Sequence, residues 1–143
     1  GKLVAVGYRN GKKVKTEVVE TTGKATAIAL SADRDMIKAD NTDVAVVTVA
    51  LKDKKGRVVP TACHQLTLHL DGDMRILGVG NGDPACKDAE RPTDANAKDF
   101  TVKAFNGYAR IFLQSGKKTG ENTLSVTADG MKEKRIFISC EGK

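Results

Sequence analysis

The chain of 143 residues is 40% hydrophobic and 29% charged, with aromatic residues at 4% and no Trp. That length suits one domain, or one domain with a fragment of another, and it can bury a core without metal or disulfide staples. The composition excludes disorder, and no apolar run approaches the roughly 18 residues of a membrane-spanning helix. With so few aromatics, the expected core is Val, Ile, Leu and Ala.

The net charge of +6 raises nucleic-acid binding, but its distribution argues against it. Residues 1–24 hold six basic side chains (Lys2, Arg9, Lys12, Lys13, Lys15 and Lys24) against Glu17 and Glu20. The remainder carries 18 basic and 16 acidic side chains. A nucleic-acid module gathers Lys and Arg with interleaved aromatics on one face, whereas here the excess falls on one short segment. Neither nucleic acid nor membrane is expected as a partner. The opening GKLVAVGYRNGKK has no initiator Met and no basic-then-apolar leader, so the chain reads as a piece of something larger.

Along the chain the dominant signal is period two, bounded by turn residues. KLVAVGY and KVKTEVVE flank Asn10-Gly11, a strong hairpin signal. ATAIALSA follows, then DVAVVTVALKD, whose two faces are both apolar or small, as in a strand buried on both sides or nearly so. KKGR turns the chain, and Pro60 interrupts pairing beyond it. QLTLHLDGD alternates Leu66, Leu68 and Leu70 against Thr67 and His69, and MRILGVG is another short strand. After the polar stretch come FTVKAFNGYARIFLQS, ENTLSVTADG and KEKRIFISC, each read as one strand. No helical apolar pattern persists for three turns. Short strands at this spacing without crossover helices predict an antiparallel β-sandwich. The one long irregular segment, Asp83 to Asp99, is either functional or simply mobile.

GVGNGDP at residues 78–84 looks most like a site. A dinucleotide fingerprint needs a third Gly and a following helix, and position 83 is Asp before Pro84. Calcium would need alternating acidic ligands ending in a bidentate Glu, and Asn81, Asp83 and Asp88 are too irregular. A corner between strands needs only a positive φ at Gly80 or Gly82 and a Pro that ends the strand, and that is the reading adopted. His64 and His69 lie five apart, on opposite faces of a strand, and cannot share a metal. Cys63, Cys86 and Cys140 lack a zinc spacing. One disulfide with a thiol left over is open, though buried or half-buried free thiols fit better. Most aspartates, Asp53 and Asp71 among them, fall in turns where they bond their own backbone. No catalytic, metal or cofactor residue is assigned. One stripe stands out: with Ala109, Ile111 and Leu113 facing the core, Tyr108, Arg110 and Phe112 face outward. Such residues anchor contacts, either with a neighbouring domain, with the N-terminal hairpin, or with a stacked sugar ring.

The stretch from LSADRDMIKADNTD through GVGNGDP, together with KAFNGYARIFLQSGKKTGENTLSVTADGMK, resembles the C-terminal immunoglobulin-like domain of glycoside hydrolase family 2, the β-galactosidase-like enzymes of carbohydrate-degrading gut bacteria. The resemblance covers about residues 25–140 and extends more distantly to invasin-like repeats. It implies an immunoglobulin-like sandwich of about seven strands over residues 25–143. Residues 1–24 resemble the last hairpin of the preceding domain, which without its parent sheet should dock elsewhere or swap between chains. It implies no catalytic residue here, since the family's catalytic glutamates lie in an upstream barrel, and it makes Gly78, Gly80, Asn81, Gly82 and Asp83 a corner. The segment ACKDAERPTDANAKD departs from the family's Ser/His-rich continuation, which counts against an inherited ligand role for Asn81 or Asp83. The resulting expectation is a non-catalytic, structural domain of a periplasmic or extracellular enzyme whose partners are the other domains of its parent. A polysaccharide-binding module and an adhesive repeat are the alternatives.

Overall fold

A computed structural model describes residues 1–142, so Lys143, the last residue of the expected sandwich, lies outside the described residues. Eleven strands and no helix occur among them: β1 (Lys2–Arg9), β2 (Lys12–Glu20), β3 (Ala27–Ala32), β4 (Met36–Lys38), β5 (Val44–Lys52), β6 (Gln65–Asp71), β7 (Arg75–Gly80), β8 (Asp99–Lys103), β9 (Tyr108–Gln114), β10 (Gly120–Ala128) and β11 (Lys134–Glu141). Strands β1 and β2 form their own two-stranded sheet. The other nine make a sandwich of a five-stranded sheet, β4-β11-β10-β6-β8, on a four-stranded sheet, β3-β5-β9-β7.

Period two becomes burial in the way a sandwich demands. Strand β6 alternates exposed and buried residue by residue, which places Leu66, Leu68 and Leu70 inside. From the facing sheet come Ala45, Val47, Val49 and Leu51 of β5 and Ala109, Ile111 and Leu113 of β9. Each buried Leu or Ile contributes about 2 kcal/mol through apolar area removed from water. The core contains no aromatic ring apart from Phe100, which packs at its margin. Asn10 and Gly11 both take positive φ, 50° and 73°, and close the predicted hairpin between paired Arg9 and Lys12.

Two features differ from the seven-strand antiparallel reading. FTVKAFNGYARIFLQS is two strands in different sheets, because Asn106 (φ 51°) and Gly107 (φ 82°) make a tight turn between β8 and β9. Phe105 and Tyr108 exchange backbone hydrogen bonds of 2.9 Å across it. Strand β4 is the other addition; it pairs with β11 in parallel, Cys140 opposite Ile37. The cysteines are all free, as expected, but only Cys140 is buried, whereas Cys63 and Cys86 are exposed. Cys63 and Cys86 lie in loops, where no strand pairing draws them inward.

The turn at Gly107 predicts a measurable asymmetry among glycines. A Cβ there would lie 2.5 Å from the Val59 carbonyl oxygen, on a backbone that disfavours any side chain. Gly107→Ala should cost about 2–4 kcal/mol in urea denaturation. Gly80→Ala, where a Cβ meets nothing within 4 Å, should change stability by less than about 0.5 kcal/mol.

Candidate functional site

The outward stripe of β9 is built by its neighbours' register. Tyr108 lies opposite Ala50, Arg110 between Thr48 and Gly80, and Phe112 between Val46 and Gly78. The two glycines of β7 give Arg110 and Phe112 no flanking side chain on that side. Tyr108 is 46% exposed, Arg110 is exposed and Phe112 is half-buried. The N-terminal hairpin does not cover them, since every residue of β1 and β2 except Glu20 is itself exposed.

The corner after β7 spends its polar groups on its own backbone. Asn81 Nδ2 donates to the Lys103 carbonyl at 2.9 Å, which ties the end of β7 to the end of β8 in the other sheet. Asn81 Oδ1 accepts from the Asp83 amide, and Asp83 Oδ1 from the Ala85 amide, both at 2.9 Å. Gly82, at φ 77°, supplies the left-handed residue; Gly80 does not. Gly78 serves close approach instead, because a Cβ there would lie 3.1 Å from the Glu90 carbonyl, which accepts the Val79 amide. The residue 83–99 loop is thereby laced to the free edge of β7, over a cleft of about 290 Å³ lined by Asn81, Asp83, Cys86, Asp88 and Glu90. Among the described residues no three His, Cys, Asp or Glu side chains converge on a metal position.

Two charged constellations escaped the sequence reading. Asp53, counted there as a turn residue, is 4% exposed. Its carboxylate accepts from the Gly23, Lys55 and Arg57 amides and from Arg57 Nε and Nη2, at 2.7–3.0 Å. Arg57 Nη1 then reaches Glu20 at the end of β2, at 2.8 Å, so the hairpin is clamped to the sandwich at its base. The Arg57 guanidinium, followed by the Gly23 amide, holds the Asp53 pKa far below the usual carboxylate range. The spacing of Asp53 and Arg57 across a Gly-containing turn was the available signal. The second constellation is His69, which alternates with the buried leucines of β6 and is exposed. Its Nδ1 is 2.7 Å from Asp99 Oδ1 and its Nε2 3.3 Å from Asp71 Oδ1. Asp99 foremost, then Asp71, raises its pKa. His64, the other histidine, is half-buried just before β6.

Geometry of this kind defines the class: an immunoglobulin-like β-sandwich domain carrying a projecting hairpin. The family follows from comparison with known proteins. The model of the glycoside hydrolase family 2 C-terminal domain 5 matches residues 28–137, and the chain belongs to that family. Beta-galactosidase BoGH2A of Bacteroides ovatus is 31% identical over 99% of this chain, which spans 16% of that protein. A glycosyl hydrolase family 2 member from Bacteroides cellulosilyticus superposes with a TM-score of 0.87 at 31% identity, over 99% of this chain and 17% of its own. A β-glycosidase from Bacteroides vulgatus gives 0.82 at 29%, over 97% and 17%. The chain is thus about a sixth of the length of these relatives. It holds a C-terminal domain and not the family's catalytic domain.

Both constellations titrate, in opposite senses. The folded pKa of Asp53 is depressed, so its contribution is present above the ordinary carboxylate value of about 3.9 and is lost as pH falls toward the folded value. The urea midpoint should therefore drop below about pH 4, and Asp53→Asn should be less stable at neutral pH with a flatter profile. His69 has a raised pKa, so its contribution is full in acid and is lost as pH rises through that value. Its NMR titration midpoint should sit above about 6.5 and fall toward it in Asp99→Asn.

Proposed function

We propose that this chain is the non-catalytic accessory domain of a β-galactosidase-like family 2 glycoside hydrolase, and that it packs against the rest of its parent and fixes the parent's geometry. The observation that carries the reading is the hairpin. It projects with Leu3, Val4, Val6, Tyr8, Val14, Val18 and Val19 exposed, yet its base is held by the Arg57–Glu20 pair and the buried Asp53. An isolated two-stranded hairpin is marginal in water, and rigidly presenting an apolar one suits attachment to a second body. The open side chain of Tyr108 offers a second contact. A periplasmic or extracellular parent is part of the same proposal, and only the family resemblance supports it.

Saccharide binding on the β9 stripe is the second reading, favoured by the exposure of Tyr108. Half-burial of Phe112 leaves one open ring rather than a coplanar pair. The two readings separate experimentally. On the accessory reading the isolated chain neither hydrolyses a chromogenic β-galactoside nor binds galactosides in calorimetric titration. In the full-length enzyme, Tyr108→Asp should lower the unfolding temperature while kcat stays within about twofold. Saturable galactoside binding that is lost in Tyr108→Ala would move the assignment to the binding module. Hydrolysis by the isolated chain would sink both.

A further inference from the structure

We infer that β1, not β2, is the hairpin strand whose free edge pairs with another strand, and that Val4, Val6, Tyr8 and Val18 enter a core supplied by the preceding segment of the same polypeptide. The inference rests on the accessory-domain reading above and deepens it by naming the surface and its occupant.

The two faces of the hairpin differ. Register places Val4 opposite Val18, Val6 opposite Thr16 and Tyr8 opposite Lys13. The bulge at Val14 breaks period two between Lys15 and Lys13, so the apolar side chains of that face are Val4, Val6, Tyr8 and Val18. On the reverse face Ala5 lies opposite Glu17, Gly7 opposite Lys15 and Arg9 opposite Lys12. Small residues and charges there suit solvent; the larger apolar side chains are Leu3 and Val19 at the base and Val14, whose Cγ2 would lie 3.8 Å from a Cβ on Gly7.

The two edges differ as well. Strand β1 carries charge only at its ends, Lys2 and Arg9, and is regular along its own length. Strand β2 carries Lys12, Lys13, Lys15, Glu17 and Glu20. It also takes up the bulge, since the register steps from Gly7–Lys15 to Tyr8–Lys13 and leaves Val14 unpaired. Lysines and bulges are the devices by which sheets blunt an outer edge. The hairpin thus has one edge built to end a sheet and one built to continue it. Its occupant is a strand of the same polypeptide rather than a second copy. The likeness to the Bacteroides cellulosilyticus enzyme runs over 99% of this chain, hairpin included, within a chain about six times longer.

Backbone alternation makes this testable at single amides. The Thr21 amide donates to the Gly1 carbonyl at 2.8 Å, so odd residues of β1 point their backbone groups at β2. Val4 and Val6 point theirs at the free edge, as Thr16 and Val18 do on the other strand. Hydrogen exchange should be fast at all four amides in this chain alone. In the full-length polypeptide Val4 and Val6 should slow by at least about tenfold while Thr16 and Val18 stay fast. Val6→Glu should lower the unfolding temperature of the full-length protein and not that of this chain alone. Slow exchange at Thr16 and Val18, with Val4 and Val6 fast, would overturn the edge assignment and leave the accessory reading intact. Protection of neither pair would overturn both. Protection of Val4 and Val6 in this chain alone, at twice the monomer mass, would make the occupant a second copy and overturn the assignment to an upstream segment.

Discussion

A single buried carboxylate sets the frame for one end of this molecule. Asp53 is removed from water, and an unpaired carboxylate there would be costly. Five N–H donors and a guanidinium charge therefore converge on it. Those donors come from separate pieces of chain: the linker at Gly23, the turn at Lys55 and the start of the following segment at Arg57. Satisfying one carboxylate thus fixes where the hairpin enters, how β5 ends and where the chain goes next. The same guanidinium spends its remaining nitrogen on Glu20, so the direction of the hairpin is set by the charge that neutralises Asp53.

The constraint propagates inward. The Asp53–Arg57 turn returns the chain so that the Val59 amide donates to the Leu51 carbonyl at 2.9 Å. Val59 then lies against Gly107, whose carbonyl accepts the Leu51 amide. Gly107 in turn is the residue that lets β8, in one sheet, pass directly to β9, in the other. Carboxylate, turn and sheet crossing form one connected piece of structure, and its tolerance for change should be low throughout.

How much of this was legible follows from which signals are local. Period-two alternation gave the sandwich, its aliphatic core, the inward face of β9 and the Asn10–Gly11 hairpin. The same dipeptide at Asn106–Gly107 is hidden in what reads as one continuous strand because both flanks alternate. Yet the phase gave it away: Val102 and Ala104 are inward at even positions, Ala109, Ile111 and Leu113 at odd ones. A strand cannot change phase without a turn or a bulge. Strand β4 left no such trace, since three residues with one buried Ile carry no period and parallel pairing with β11 joins segments about a hundred residues apart. His69 and Asp99 meet only through the β6–β8 register, opposite each other across thirty positions. Ion pairs of that kind are properties of the register and not of any short motif.

The two outer faces of the sandwich point to the side on which a second body would sit. On the five-stranded sheet, Gln65, Thr67, His69, Asp71, Thr101 and Lys103 of β6 and β8 are polar and exposed, and the exposed apolar side chains Met36 and Phe137 lie on β4 and β11. On the four-stranded sheet, Val44, Val46 and Ala50 are half-buried beside Phe112 and open Tyr108. Tyr108 pairs with Ala50, two residues from the end of β5, and so lies at the end of the sandwich where Asp53 clamps the hairpin. Hairpin and exposed aromatic therefore stand at the same end. A body joined to the hairpin would lie near Tyr108, whereas a pure spacer would need only the clamp. That coincidence supports packing over spacing, and it makes the rigidity of the Asp53–Arg57–Glu20 joint the feature that would keep both contacts in register.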